Sequence, residues 1–330
     1  MLTPRPVGPL SGWVHGVLVG ADPAPAPEVA SDDPVLDRDL QLALWTLYEL
    51  HYGGFDDADP DADWDPTLIA FRRQLERLFE ASVRERTASV MPTEAPATDI
   101  EGVVAQLTQV IDAVTGPDLT GHLQRRADLA QFTEFMRLRS IYHLKESDPQ
   151  SFVLPRVRGG AKVALAELQY DEFGAGRPEM LHQRLFAGAL EACGLEADYG
   201  VYIDEADAST LAVNNVMSLF ALNRRLRGAS LGHLAAFEAT SSIPCRRIAQ
   251  GTRRLGLPDA AAAYWDEHVE ADAAHEQVAL RDICGRVVSD EPALAGDVLM
   301  GAAACAVLDA VAAQELLGRW DALDESRGAA

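Results

Sequence analysis

The stretch HVEADAAH, residues 268–275, lies inside a segment whose helical pattern predicts one helix over residues 259–286. His268, Asp272 and His275 stand at positions i, i+4 and i+7, and the stretch contains neither glycine nor proline. At about 100° per residue these positions fall within an arc of roughly 60°, so the three side chains leave one face of the helix. Two imidazoles and a carboxylate suit a divalent iron, manganese or zinc ion. The stretch therefore predicts a metal-binding face, with an exposed polar face in an acidic protein as the alternative.

Helical patterns extend on both sides of this stretch, whereas strand signals of period two are almost absent. The sequence therefore predicts an all-α bundle with one main core. A first helix is expected from Asp32 or Asp33, either of which is a plausible cap before Pro34. The other predicted helices cover residues 66–87, 98–115, 120–145, 161–173, 178–194, 207–226, 229–240 and 292–318.

Four segments follow from these patterns. Residues 1–31 are rich in proline and alanine without a sustained period, so we expect a flexible or loosely docked arm. Residues 32–119 are expected to form an N-terminal helical extension that packs on the core. Residues 120–320 are expected to form the main helical domain, and residues 321–330 a frayed tail.

Composition excludes several classes of partner. The chain has 330 residues, of which 51 are acidic and 28 basic, for a net charge of -23. Such a charge repels phosphate backbones and anionic lipid surfaces, so neither nucleic acid nor a membrane is an expected partner. The apolar stretch from Val298 to Leu308 is far short of the roughly 20 residues of a membrane helix. The four cysteines are far apart, which favours reduced core thiols, and we expect a cytoplasmic protein.

A second set of candidate ligands lies around a glycine break in ELQYDEFGAGRPEMLHQRLF, residues 167–186. Glu167 and Glu172 precede the glycines, and Glu179 and His182 follow them. The spacing Glu-x-x-His is the one by which ferritin-like helices hold iron. Glu179 has an alternative role, because a carboxylate in a first helical turn also stabilises the helix dipole.

Two further carboxylates stand out by their context. Glu238 lies in the apolar stretch LGHLAAFEATSSIP, and a buried carboxylate needs a counter-charge or a metal. A salt bridge with Arg246 or Arg247 is the alternative. Glu146, in RSIYHLKESDP, closes a predicted helix and by itself has the pattern of a surface acid.

Together these stretches resemble the haem-oxygenase-like diiron oxidases and oxygenases, a family also described as iron-containing redox enzymes. The resemblance is carried by LYELHYGGF, YHLKESDP, ELQYDEFGAGRPEMLHQRLF, HLAAFEATSSIP and EHVEADAAHE, which occur in this order over about residues 40–318. It implies a haem-oxygenase-like helical bundle, with the diiron site in residues 120–320. It also implies a set of metal ligands, with Glu167 or Glu179 as possible replacements for Glu172: Glu146, Glu172, His182, Glu238, His268, Asp272 and His275.

The resemblance implies a cofactor of two iron ions, as Fe²⁺ or Fe³⁺, and no haem. The expected activity is oxidation of a small substrate with O₂ and electrons from an unknown donor. N-oxygenation of an amine or guanidine compound in natural product biosynthesis is favoured, because Glu146 matches an additional carboxylate of the N-oxygenating members. Oxidative C–C cleavage or decarboxylation of an amino or fatty acid is the alternative, and a non-catalytic iron-binding helical protein is the alternative of another class. Family members are commonly dimers, so a homodimer is possible.

Overall fold

The computed structural model of the chain describes residues 1–21 and 25–328, without the side chains of residues 270–274, 324 and 326–328. The predicted all-α class is confirmed, because no β-strand occurs among the described residues. In chain order the α-helices are α1 (Pro9–Leu18), α2 (Arg38–Glu49), α3 (Pro66–Thr87), α4 (Ile100–Ala113), α5 (Leu119–Arg125), α6 (Leu129–His143), α7 (Asp148–Ser151), α8 (Gly159–Glu172), α9 (His182–Ala192), α10 (Ala208–Leu222), α11 (Arg227–Arg254), α12 (Ala260–Gln277), α13 (Arg286–Asp290) and α14 (Ala295–Gly328).

Aspartates begin many of these helices. In each case the residue before the first turn accepts a hydrogen bond from a backbone N–H that has no partner inside the helix, which stabilises the helix by about 1 kcal/mol. Part of the excess of acid in this chain therefore serves helix initiation. The capping residues of α2 to α6 and of α10 are Asp37, Asp65, Asp99, Asp118, Asp128 and Asp207.

The prediction of a loose arm over residues 1–31 is wrong for the segment that forms α1. Leu10, Val14 and Leu18 of this helix are buried in the core. The carboxylate of Asp39 in α2 accepts the backbone N–H groups of Leu10 and Ser11, at 2.8 Å each. The local sequence pattern does not reveal this cap, because it comes from a residue far away in the chain.

Several predicted helix boundaries also differ, among them the end of the helix predicted over residues 229–240, which continues through Pro244 to Arg254. The first long helix begins at Arg38 rather than near residue 32, because Asp33 instead caps a turn by accepting the N–H of Val35 at 3.2 Å. The predicted helix 120–145 is two helices, since Asp128 starts α6 with its own capping box. At the end of the chain α14 continues to Gly328, so the backbone is helical where a frayed tail is predicted. The other predicted segment boundaries stay predictions.

The core is organised around α11, which packs against α12 on one side and α14 on another. α11 and α14 approach closely where each helix carries a glycine. A Cβ atom at Gly232 would lie 1.8 Å from the carbonyl oxygen of Val298, and one at Gly301 would lie 1.9 Å from that of Ala229. The N-terminal helices α1, α2 and α3 share a hydrophobic cluster with α10.

The helix after α12 changes its winding without a break. Residues Val278–Gly285 form a π-helix that joins α12 to α13. Ala279, Leu280 and Ile283 in this segment are buried in a cluster with residues of α4, α8 and α14. Single π turns inside α-helices occur frequently at functional sites.

The segment Pro292–Leu323 is long and apolar enough to cross a membrane by length and composition, with a mean hydropathy of 1.7 in its most apolar window. This apolar helical segment is longer than the stretch Val298–Leu308 that was identified from the sequence. Core helices of globular proteins meet the same criterion, and 56% of this window is buried inside the fold. The absence of a membrane partner stays a prediction.

Candidate metal centre

Two groups of buried carboxylates and imidazoles meet between α6, α8, α9, α11 and α12. In each group the potential ligand atoms lie within 4.8 Å of one another. Glu172 belongs to both groups, so the two share one carboxylate. The first group consists of Glu146, Glu172, His182 and His268, and the second of Glu172, Glu238 and His275.

Glu146 lies in a tight turn after α6, where the chain passes through a left-handed residue. The N–H of Lys145 donates to the carbonyl of Tyr142 at 2.8 Å, and Ser147 has a φ of 67°. Non-glycine residues with positive φ are uncommon and often occur at functional sites. The hydroxyl of Ser147 donates to Glu172 Oε2 at 3.1 Å, so the turn also contacts the shared carboxylate. Glu146 is 2% exposed, and the alternative of a surface acid is therefore wrong.

The glycine break brings Glu172 and His182 together. Glu172 ends α8, and Gly174 follows with a φ of 82°, where a Cβ atom would lie 2.4 Å from the carbonyl oxygen of Arg177. Only glycine fits this turn, which reverses the chain toward α9. His182 Nδ1 consequently lies 3.0 Å from Glu172 Oε2.

The two alternatives to Glu172 are placed differently. Glu167 and Glu179 are both exposed, and neither belongs to the groups found among the described residues. Pro178–Met180 forms a 3₁₀ turn, so Glu179 precedes α9 rather than lying in its first turn. Glu172 is 4% exposed and is the carboxylate that the fold directs inward.

Helix α12 contributes one histidine to each group. His268 and His275 are separated by about two helical turns, or roughly 10 Å along the axis, on one face. Asp272 lies between them on the same helix, but its side chain is outside the described residues. The predicted convergence of this face therefore holds for both histidines, and the alternative of an exposed polar face is wrong for them because both are buried.

Each of these histidines has a ring nitrogen suited to a metal. His268 Nδ1 lies 2.8 Å from the carbonyl oxygen of Tyr264, to which it donates, so Nε2 keeps its lone pair. Among the described residues, His268 Nε2 and His275 Nδ1 are buried without a hydrogen-bond partner. His275 Nδ1 lies 3.4 Å from Glu172 Oε1 and 3.5 Å from Glu238 Oε2. Buried polar atoms without partners are costly, and a metal cation that accepts these lone pairs fits both atoms.

Protons balance the charge of this cluster when no metal is bound. Burial disfavours charged His275, but the facing carboxylates of Glu172 and Glu238 outweigh burial and raise the pKa of His275 to about 11. Glu172 likewise outweighs burial at His182 and raises its pKa to about 9. Burial favours the neutral form of Glu172, yet His182 and His275 hold the pKa of its carboxyl well below its usual range. A metal that binds here displaces these imidazole protons.

Glu238 is faced by the imidazole of His275. It is 6% exposed on α11, and its Oε2 atom lies near His275. Arg247 donates instead to Asp118 Oδ1 at 2.8 Å. Nearby His233 belongs to neither group, and burial lowers its pKa to about 4.

Two contacts of Glu146 were not predicted from the sequence. The hydroxyl of Tyr264 lies 2.8 and 2.7 Å from the two carboxylate oxygens of Glu146, to which it donates, and 2.9 Å from His143 Nδ1. Burial raises the pKa of Glu146 and lowers that of His143. A sequence signal for Tyr264 exists, because it precedes His268 by one helical turn and therefore shares its face. His143 has a comparable spacing, because it precedes Glu146 by three residues, and its Nδ1 atom lies 3.3 Å from Glu146 Oε1.

Substitution of Tyr264 by phenylalanine removes the hydroxyl that holds Glu146 and leaves the ring in the core. We expect Tyr264→Phe to raise the Fe(II) dissociation constant of the first group about tenfold, since outer partners of metal ligands contribute this much to affinity. Anaerobic Fe(II) titration measures this dissociation constant. Tyr202→Phe is the control, because its hydroxyl accepts the N–H of Glu196 outside both groups. Unchanged affinity in Tyr264→Phe contradicts the assignment.

Comparison with known proteins agrees with this site. A family model described as iron-containing redox enzyme matches residues 133–310, which is more than half of the chain and includes every residue of both groups. Among curated proteins no match was found. The haem-oxygenase-like class of the all-α fold is thereby confirmed, and an oxidoreductase role is supported. The chain belongs to the iron-containing redox enzyme family.

Proposed function

We propose that the chain is a non-haem diiron enzyme that activates dioxygen to oxidise a small substrate. One observation carries the proposal: two buried ligand groups share a single carboxylate, Glu172. A shared carboxylate is what a pair of metal ions needs as a bridge, whereas a mononuclear site has no use for a second adjoining group. Imidazole together with carboxylate suits iron, and family membership favours iron over zinc or manganese.

The residues divide between the two ions. Glu146, His182 and His268 would hold one iron, Glu238 and His275 would hold the other, and Glu172 would contribute to both. Asp272, by its position on α12, is a further proposed ligand. When bound, two Fe(II) ions supply two of the electrons that reduction of dioxygen requires. The substrate would supply the remaining electrons as it takes up an oxygen atom, and a reductant outside the chain would return the iron to the Fe(II) state.

The protein's own groups prepare the site for this chemistry. All residues of the two groups are buried, which excludes bulk water and strengthens electrostatic interactions within the site. Tyr264 orients Glu146, and Ser147 orients Glu172. The imidazoles of His182 and His275, which carry protons in the metal-free protein, turn into neutral ligands when a metal binds.

N-oxygenation of an amine or guanidine compound in a biosynthetic pathway is the reaction that we propose. Its support is Glu146, which matches the additional carboxylate of N-oxygenating relatives and lies in the first group rather than at the surface. The proposal therefore depends on Glu146 binding metal.

Anaerobic titration with Fe(II), followed by exposure to oxygen, tests the proposal. We expect two iron ions per chain, and sustained oxygen consumption when an amine substrate and a reductant are supplied. Mass spectrometry of the products is expected to show one added oxygen atom on nitrogen. Protein loaded with Zn(II) is the control, because zinc occupies the same ligands without redox chemistry.

The other outcomes separate the alternatives. Loss of carbon dioxide from an amino or fatty acid would replace N-oxygenation with oxidative cleavage. Oxygen consumption that stops once the bound iron is oxidised, with no organic product, would indicate a non-catalytic iron-binding protein. Binding of a single metal ion per chain would overturn the diiron proposal itself.

A further inference from the structure

Lys145, the residue before Glu146, is a buried lysine. Its counter-charge is Glu49, which lies far away in the sequence. Lys145 is 5% exposed, and its Nζ atom lies 2.7 Å from Glu49 Oε2. Glu49 is the last residue of α2 and is fully buried. The hydroxyl of Tyr199 donates to the same carboxylate oxygen at 2.8 Å. The position of the carboxylate is therefore fixed by two donors.

Aromatic rings enclose the ammonium group on its other sides. Lys145 Nζ lies 4.5 Å from the centroid of the Tyr52 ring, 5.6 Å from that of Trp45 and 5.7 Å from that of Tyr199. Each ring attracts a cation through its face. Even so, a buried ammonium is stable only with a counter-charge, because removal of one partner from a buried ion pair costs about 3 to 5 kcal/mol.

The ammonium and the metal ligand belong to one turn. Lys145 and Glu146 are consecutive, and their side chains leave the backbone toward different partners, Glu49 for the first and Tyr264 for the second. Gln183 joins the far end of the turn, since its amide donates to the carbonyl of Glu146 and to Asp148 Oδ1, both at 3.0 Å. Lys145 and Glu146 are therefore held by separate partners on one short turn.

Without Glu49, the acids closest in sequence to the ammonium are Glu146 and Asp148, on the same turn. An ammonium that turned toward Glu146 would compete with a metal for the carboxylate and add a positive charge beside a cationic centre. The partner that prevents this comes from α2, which lies outside the family-matched residues.

We propose that Glu49 is a positioning residue of the metal centre: it holds the ammonium of Lys145 away from the carboxylates of the turn 145–148, so that Glu146 stays available to the metal. This inference rests on the proposed metal site. It gives the N-terminal helix α2 a role in iron binding although α2 supplies no ligand to either group among the described side chains.

Anaerobic Fe(II) titration of three full-length variants tests the inference, with a competing chelator to set the affinity scale. Glu49→Gln keeps the side-chain volume and removes the counter-charge, and we expect it to weaken iron binding about tenfold. The double variant Glu49→Gln/Lys145→Met also removes the ammonium, and we expect its affinity to return to within about threefold of wild type. Glu76→Gln is the control, a buried carboxylate of α3 that pairs with Arg72 and Arg73 outside the metal groups.

The outcomes are distinct. Equal affinity of Glu49→Gln and wild type overturns the inference, as does a double variant that stays as weak as Glu49→Gln. A comparable loss in Glu76→Gln also overturns it, because the effect would then follow from destabilisation of the extension. Thermal unfolding of the metal-free variants by circular dichroism identifies such destabilisation directly. If wild type itself binds no iron, the proposed function fails, and this inference, which rests on it, fails with it.

Discussion

Glu172→Ala is expected to abolish binding of both iron ions, whereas Glu238→Ala is expected to remove only one. The reason is that Glu172 contributes ligand atoms to both groups, while Glu238 belongs to the second group alone. Loss of Glu172 also removes the main carboxylate that raises the pKa of His182 and one of the two carboxylates that raise the pKa of His275. Iron content per chain after anaerobic loading and gel filtration measures the difference.

Glu167→Ala is the matched control for this experiment. Glu167 lies on the same helix, α8, and its removal changes the net charge by the same amount, but its side chain is exposed. We expect this variant to bind two iron ions, as wild type does. Retention of both ions in Glu172→Ala, or loss of both in Glu238→Ala, would show that the two groups do not share a bridging ligand.

The largest expected effect on stability comes from the glycine contact between α11 and α14. Gly301→Ala places a methyl group 1.9 Å from the carbonyl oxygen of Ala229, which is backbone and has no rotamer to adopt. The helices must separate, and we expect the free energy of unfolding to fall by about 3 kcal/mol. Urea unfolding of the metal-free protein, followed by circular dichroism, measures the change.

Gly318→Ala, on the same helix, is the control with the opposite sign. A Cβ atom at Gly318 has no heavy atom within 4 Å among the described residues. Alanine favours the helix over glycine by about 1 kcal/mol, so this variant is expected to be slightly more stable than wild type. Equal destabilisation by both substitutions would show that the close approach at Gly301 is not the cause.

The helical architecture was predictable because it depends on local patterns. The spacing of His268 and His275 in a stretch without glycine or proline fixes their common face, and the structure buries both. The glycine break before His182 was likewise visible as a turn. Helix N-termini were predicted less accurately, because an aspartate such as Asp33 caps a simple turn as readily as it caps a helix.

Long-range contacts account for what the sequence did not reveal. Glu167 and Glu172 both precede Gly174 on α8, and helical phase separates them, because Glu172 follows the buried Leu168 by one turn whereas Glu167 is exposed. Glu179 lies beyond the turn at Gly174 and is exposed there. His143 contacts Glu146 three residues later, but its contact with Tyr264 joins residues more than a hundred positions apart. The packing of α1 depends in the same way on Asp39.

The π-helix Val278–Gly285 changes the direction in which side chains point between α12 and the residues that follow it. One residue inserted into a helix rotates everything beyond it by about 100° relative to what comes before. His275 can therefore point at the metal groups while Leu280 and Ile283, a short distance later, join the core beside α4 and α8. In an uninterrupted α-helix the phase of the histidines would dictate the phase of the apolar residues. The wider π turn makes the two orientations independent. Substitutions among the apolar residues after it therefore need not change the direction in which the histidines point.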